Sequence, residues 1–374
     1  MDIHLYKIIV SLGLCLSILT ASQPGDAVVI EGANAFYNFE TAKAIVLLDS
    51  ARLEYPDNPL AHFTWVAAQM LHSEANYSTE NTYRILNQSL DTVIPILKTL
   101  AKKFPEDPVY RLYLGCAIGL RARVSLGRKQ WLSTLFNAYK GLRLIQDVAE
   151  NNSELVDAQL PIGIVEYYAS LSPSLIQWGV RLMGMKTNRE AAIDKIEKAA
   201  TQGEFSSIEA KHIFVFLSLW VEDDPQSALK YSRELRENFP QNYLFSILFL
   251  ECLIKTGNDE QAETLISTLK AEFNFLTPIQ QSWYFSYYRY ELALFQFLHG
   301  DYDKALLNVE EAINHYHAEL DIVLSNAWLL KGMIHDKRGN GHEAKQAYTV
   351  CMRLDNHSAA VKRARQYLQS PFID

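Results

Sequence analysis

Between Arg289 and Asn356 the chain repeats itself, with two consecutive copies of one helical hairpin standing in frame. The second copy carries Trp328, Gly332, His335, Gly339, Ala344, Tyr348 and Cys351. The first gives Leu292, Ala293, Gly300, Tyr302, Ala305, Val309 and Ala312 in the same frame. The spacing is near the period of about 34 residues found in helix-turn-helix repeats. No feature of the sequence constrains the fold more, because an amphipathic hairpin cannot bury its apolar stripe alone and must stack on a neighbour. Small residues at Ala293, Ala305, Gly332 and Ala344 let paired helices approach closely, and Trp328 and Tyr348 are expected to fill the space toward the next pair. Gly300-Asp301 and Gly339-Asn340-Gly341 supply turns where left-handed backbone costs Gly or Asn little.

The same design extends toward the N-terminus. Helices with repeat-like small residues stop at Tyr55-Pro56, Phe104-Pro105 and Phe239-Pro240, since proline cannot continue the hydrogen-bond ladder. Asn188, Ser206 or Ser207, Asp224, Thr277 and Ser358 are helix-starting residues. No Val/Ile/Thr-rich alternating run bounded by turns is present, so no strand is expected. The fold class is therefore all-α, an α-α superhelix built as a solenoid of antiparallel hairpins. Its expected divisions are a signal peptide over 1–22, divergent helical repeats over 26–186, and regular repeats with a capping helix over 187–374.

The repeat frame resembles the tetratricopeptide repeat. Tyr37-Asn38-Phe39-Glu40, Gly119-Leu120-Arg121-Ala122-Arg123 with Trp131, and Ile162-Gly163-Ile164-Val165-Glu166-Tyr167-Tyr168 occur in the order seen in a group of exported bacterial tetratricopeptide proteins, which the chain resembles over most of its length. Thr41 replaces an aromatic of that group's first motif, and Ala122 replaces a Gly of the second. The resemblance implies a helical repeat protein of the cell envelope and assigns no catalytic residue. It also implies that the first helix of each pair lines a concave groove. That puts Tyr287, Tyr290, Leu294 and Phe297 there, with Asn326, Leu329, Met333 and Lys337 from the next pair, facing an extended or helical peptide.

Lys7 followed by the apolar run from Ile8 to Leu19 reads as a secretory signal, too short to span a bilayer, with Thr20, Ala21 and Ser22 at the cleavage region. Export to the periplasm or outside the cell is the expectation, with an uncleaved membrane anchor as the alternative. Cys116, Cys252 and Cys351 then remain, an odd number, each on a helical apolar face, and all three read as small buried hydrophobes. A net charge of −8 argues against nucleic acid, whose phosphates need a basic surface.

Within this acidic chain one basic cluster stands out, Arg121 and Arg123 with Arg128 and Lys129, near Arg111 and Trp131. It suits either the helix dipole or the floor of a site for an acidic peptide. Glu166 lies amid apolar residues and calls for a cationic partner, for which an arginine of this cluster is a candidate. Ser172 to Met185, with Pro173, Trp178 and Gly184, is an apolar segment expected to be buried. Its alternative role, with the aromatic helix from Trp283, is peripheral contact with a membrane or an apolar ligand.

Motifs of catalysis are absent. The sequence holds no His-Glu-x-x-His, Cys-x-x-Cys, Gly-x-Ser-x-Gly or Walker loop. His315 and His317, two apart, would point in different directions on a helix, and His335 and His342 read as solvated turn residues. The expectation is a non-enzymatic interaction scaffold needing no cofactor and no metal, with a protein or peptide as partner.

Overall fold

A computed structural model describes residues 23–373 except Lys129, 172–176, 178–180, 182–183, 185–186, Glu319 and Asp355. The signal-peptide reading, and most of the 172–185 reading, fall outside the described residues. Among the described residues there are seventeen α-helices and no strand. They are α1 Asp26–Tyr37, α2 Thr41–Glu54, α3 Pro59–Asn76, α4 Thr79–Lys103, α5 Pro108–Gly127, α6 Trp131–Asn151, α7 Gln159–Leu171 and α8 Arg189–Gln202. Then follow α9 Ser207–Leu217, extended by a π-helical turn Ser218–Glu222, α10 Pro225–Asn238, α11 Tyr243–Lys255, α12 Asp259–Glu272, α13 Pro278–Leu298, α14 Tyr302–Asn314, α15 Ile322–Lys337, α16 Gly341–Leu354 and α17 Ala359–Gln369.

Local chemistry starts and stops these helices. Asn58 Oδ1 accepts from the amides of Leu60 and Ala61 at 2.9 and 3.1 Å, and Asn242 and Asp301 cap α11 and α14 in the same way. Thr277 and Gln280 form a reciprocal capping box at the start of α13. Tyr55, Phe104 and Phe239 end α2, α4 and α10 in one conformation, with φ between −123° and −127° and ψ between 64° and 67°. Each precedes a proline, whose ring excludes the helical region for the residue before it. Gly300 and Gly339 take φ of 76° and 74° in the turns of the two C-terminal hairpins, as the repeat frame requires.

The helices stack as hairpins, each odd helix against the even helix that follows it, from α1/α2 to α15/α16. Odd helices also touch the next odd helix over α1–α3–α5 and again over α9–α11–α13–α15–α17. This double adjacency is what makes a solenoid. Its repeat signature is a small residue on six of the eight even helices: Ala44, Ala192, Ala228, Ala262, Ala305 and Ala344 are fully buried. The two C-terminal copies recur at 39 residues, Gly300 to Gly339, because the link from His315 to Asp321 lengthens the first of them. Tyr348 packs within its own hairpin, where a Cβ on Gly332 would lie 2.2 Å from its ring, and also reaches Tyr367 of α17, with ring centroids 5.5 Å apart. One apolar core includes Leu160 and Tyr167 of α7 and extends from Ala192 to Ile334.

The superhelix also closes on itself. The α1–α2 turn reaches the repeats two hundred residues later: Asn242 Nδ2 donates to Tyr37 O at 2.8 Å and the amide of Gln241 to Asn38 Oδ1 at 3.0 Å. Phe39 stacks on Tyr284 with ring centroids 6.2 Å apart. Thr277 Oγ1 donates to Ala75 O, joining α13 to α3. Lys362 and Arg363 of α17, both exposed, meet Val221 O and Asp223 at the end of α9.

Candidate functional site

The odd helices α9, α11, α13, α15 and α17 lie side by side and form the inner wall of the superhelix. Six of the eight residues expected to line a groove there are instead buried: Tyr287, Tyr290, Leu294, Phe297, Asn326 and Leu329. Tyr287 packs edge-on to Trp220 of α9 and to Tyr284, and lies against Tyr316. Leu329 packs with Ala360, Val361 and Ala364 of α17, so it serves helix-helix contact. Asn326 donates from Nδ2 to Ile322 O of its own helix at 3.0 Å. The physical reason is packing between successive turns of the coil: Trp220 and Tyr316 close over Tyr287, α17 over Leu329, and Phe372 over Phe297. Met333 and Lys337 remain half-buried at the rim.

That rim is occupied. After α17 the chain turns back, and Phe372 settles between three odd helices. Its ring lies 5.9 Å from Phe297 of α13 and 5.4 Å from Tyr367 of α17, with Lys337 Nζ of α15 at 5.5 Å from its centroid. Its amide donates to Asp336 Oδ2 at 2.9 Å, and Lys337 Nζ donates to Ile373 O at 3.4 Å. Asp336 is itself oriented by the Tyr348 hydroxyl at 2.8 Å. A carboxylate for a backbone N–H, an ammonium for a carbonyl and an aromatic niche between them are the elements of extended-peptide recognition.

Deeper in the wall lies a polar junction that sequence reasoning did not single out. Glu251 of α11 and Glu291 of α13 are 0% and 1% exposed. Glu251 pairs with Lys255 at 2.6 Å and accepts from Trp220 Nε1 at 2.6 Å. Burial and the Glu251 carboxylate push Glu291 well above the ordinary carboxylate range, with Lys255 pulling the other way. Burial alone would lower the Lys255 ammonium, but Glu251, aided by Asp223 and Glu291, raises it. The signal was available: Glu251 and Lys255 are four apart in the otherwise apolar run Tyr243–Lys255, a spacing that brings opposite charges together on a helix.

The described arginines of the basic cluster are paired with carboxylates. Arg111 meets Asp147 at 2.7 Å, Arg128 meets Glu80 at 2.5 Å, Arg121 pairs with Asp91, and Arg123 lies 3.8 Å from Glu74. These residues clamp α3, α4, α5 and α6 together, which leaves no open cationic floor among them. The Trp131 side chain lies outside what is described. Glu166 finds its partner in Lys195 of α8, not in an arginine of the cluster, because α7 and α8 form one hairpin. His335 is buried in the last turn of α15, correcting its reading as a solvated turn residue, while His342 is exposed.

A cleft of about 500 Å³ opens between the α1–α2 hairpin and α9–α10, lined by Asn38, Glu40, Lys43, Lys211, Glu234 and Asn238. Its lysines already pair, Lys211 with Glu234 at 2.8 Å and Lys43 with Glu40 at 3.2 Å. Among the described residues no group of three His, Cys, Asp or Glu is placed to hold a metal ion.

Burial pushes the thiols of Cys116, Cys252 and Cys351 up to about 12. All three are expected to resist a thiol reagent at pH 8 in the native protein and to react on denaturation. Ellman titration of a Cys15→Ser variant checks this; rapid labelling of the folded form would contradict the placement.

Residues 219–276, from the end of α9 through α12, match the tetratricopeptide repeat family. No curated protein sequence matches the chain. Among solved structures, a tetratricopeptide repeat protein from Parabacteroides merdae is similar at 13% identity, with a TM-score of 0.45 over 78% of this chain and 97% of that one. Rap protein complexed with competence and sporulation factor gives 12% identity and 0.45 over 94% and 98%, and NprR in complex with its cognate peptide NprX gives 9% and 0.42 over 93% and 84%.

Proposed function

We propose that this protein is a non-enzymatic scaffold of the cell envelope that binds a protein or peptide partner on the inner wall of its superhelix. The observation that carries the reading is the rim over α13, α15 and α17, where Asp336, Lys337 and Phe297 hold an extended backbone. The tetratricopeptide match over 219–276 supports the same class of function, because stacked hairpins give continuous surfaces rather than reaction pockets. The apolar run Ile8 to Leu19 supports export. Among the described residues no helix is long and apolar enough to cross a membrane.

The test is affinity capture from an envelope extract with the tagged chain, comparing it with a Met333→Glu, Lys337→Glu double variant. Both side chains are only half-buried, so the fold is expected to persist, and circular dichroism checks that. Loss of a captured partner at least tenfold is the expected outcome. Retention of every partner would remove the inner wall as the binding surface. Tyr287→Ala and Tyr290→Ala would not serve, since both side chains are core residues.

A further inference from the structure

The segment that occupies the rim belongs to the chain itself. Ser370-Pro371-Phe372-Ile373 leaves α17, and its one partly buried side chain is Phe372; Pro371 and Ile373 are exposed. Pro371 holds the segment extended by fixing its own φ and biasing Ser370 away from the helix. Two of the contacts are made to backbone atoms, the Phe372 amide and the Ile373 carbonyl, and any extended peptide presents the same pair. The only sequence-specific demand is an aromatic ring among Phe297, Tyr367 and the Lys337 ammonium. Tyr367 contributes from α17, so the niche keeps one wall even when the segment leaves. Among the described residues the segment is held by these few contacts, and such a small set lies at the low-stability end of a fold.

We propose that residues 370–373 are an internal ligand, and that the niche they fill recognises an extended partner segment carrying an aromatic residue. Binding of the partner displaces the segment. This rests on the scaffold reading above and names the chemistry of its partner. An internal ligand on so short a connection acts at an effective concentration in the millimolar range. It therefore suppresses weak, non-cognate segments and yields to one that adds contacts beyond the niche.

The experiment uses a fluorescein-labelled peptide of residues 368–374, Leu-Gln-Ser-Pro-Phe-Ile-Asp, as the probe. Binding is followed by anisotropy to the intact chain, to a chain ending at Gln369, and to a Phe372→Ala chain. Saturable binding to the two altered chains, at least tenfold tighter than to the intact one, is the expected result. Asp336→Asn with Lys337→Met, placed in the shortened chain, should abolish it, and a Phe-to-Ala probe should not bind. Circular dichroism and thermal melting establish that each chain is folded. Equal binding to intact and shortened chains, or none to a folded shortened chain, overturns the proposal. If the intact chain still captured its envelope partner through Met333 and Lys337 after such a result, the scaffold reading would survive and only the internal ligand would fall.

Discussion

Lys255→Met is expected to cost about 3–5 kcal/mol of folding stability, the range for removing one member of a buried ion pair. The replacement keeps the length of the side chain and removes its charge, which leaves Glu251 and Glu291 facing each other in the wall between α11 and α13 without a cation. The loss should deepen as pH rises. Glu291 titrates well above the ordinary carboxylate range in the folded protein, chiefly because it is buried and secondly because of Glu251. A group raised in this way contributes stability that is fully present below the unfolded carboxylate value of about 4.3, and that stability is lost as pH climbs through the raised native value. Without Lys255 the second carboxylate must also be accommodated, so the decline becomes steeper. Urea unfolding at pH 5 and pH 8 measures it. Glu291→Gln is the complementary variant: it should flatten the pH dependence and be more stable than the parent at pH 8. A Lys255→Met chain as stable as the parent at both pH values would show that the junction is hydrated.

Gly141→Val is expected to be nearly as damaging, at roughly 3 kcal/mol, the upper part of the range for overpacking a close contact. A Cβ at position 141 would lie 2.6 Å from both Gly115 O and Gly119 N, which are backbone atoms and cannot rotate away. The α5 and α6 axes would have to separate along their contact. Gly119→Ala is the control. A Cβ there meets nothing within 4 Å, so the substitution should be neutral or stabilising by up to about 1 kcal/mol through helix propensity. The thermal midpoint should fall for Gly141→Val and hold or rise for Gly119→Ala. If both lowered the midpoint alike, the close approach of α5 and α6 would be misplaced.

This contrast shows how sequence reasoning succeeds and fails. Gly115 and Gly119, four apart, announce a smooth helix face, and the close contact with α6 is there. Which glycine is indispensable depends on Gly141, which only the packing of α6 reveals. Turns and caps are legible because their causes are local: the prolines after Tyr55, Phe104 and Phe239 act on the residue before them, and Gly300 and Gly339 answer a backbone angle. Charge partners are not local. Glu166 demands a cation on burial grounds alone, but Lys195 supplies it because α7 and α8 pair, a fact that no property of the arginines could disclose.

The inner wall shows the sharpest divergence. An aromatic-rich helix such as α13 looks the same in sequence whether its inward rings face solvent or another turn of the coil. Tyr284 and Tyr287 are packed because Phe39 and Trp220 arrive from far along the chain. The basic residues of α17 follow the same logic. Lys362 and Arg363 suit an exposed cap by composition, and only the winding of the superhelix brings Asp223 within reach of the second.

Those long-distance joins change the mechanical character of the molecule. A solenoid whose units touch only their neighbours stretches like a spring and can unravel one repeat at a time from either end. Here Thr277 is tied to Ala75, Gln241 and Asn242 to the α1–α2 turn, and Arg363 to Asp223. Fraying at one extremity therefore breaks contacts in the middle, and the coil behaves as a ring-like clasp that opens all at once or stays shut.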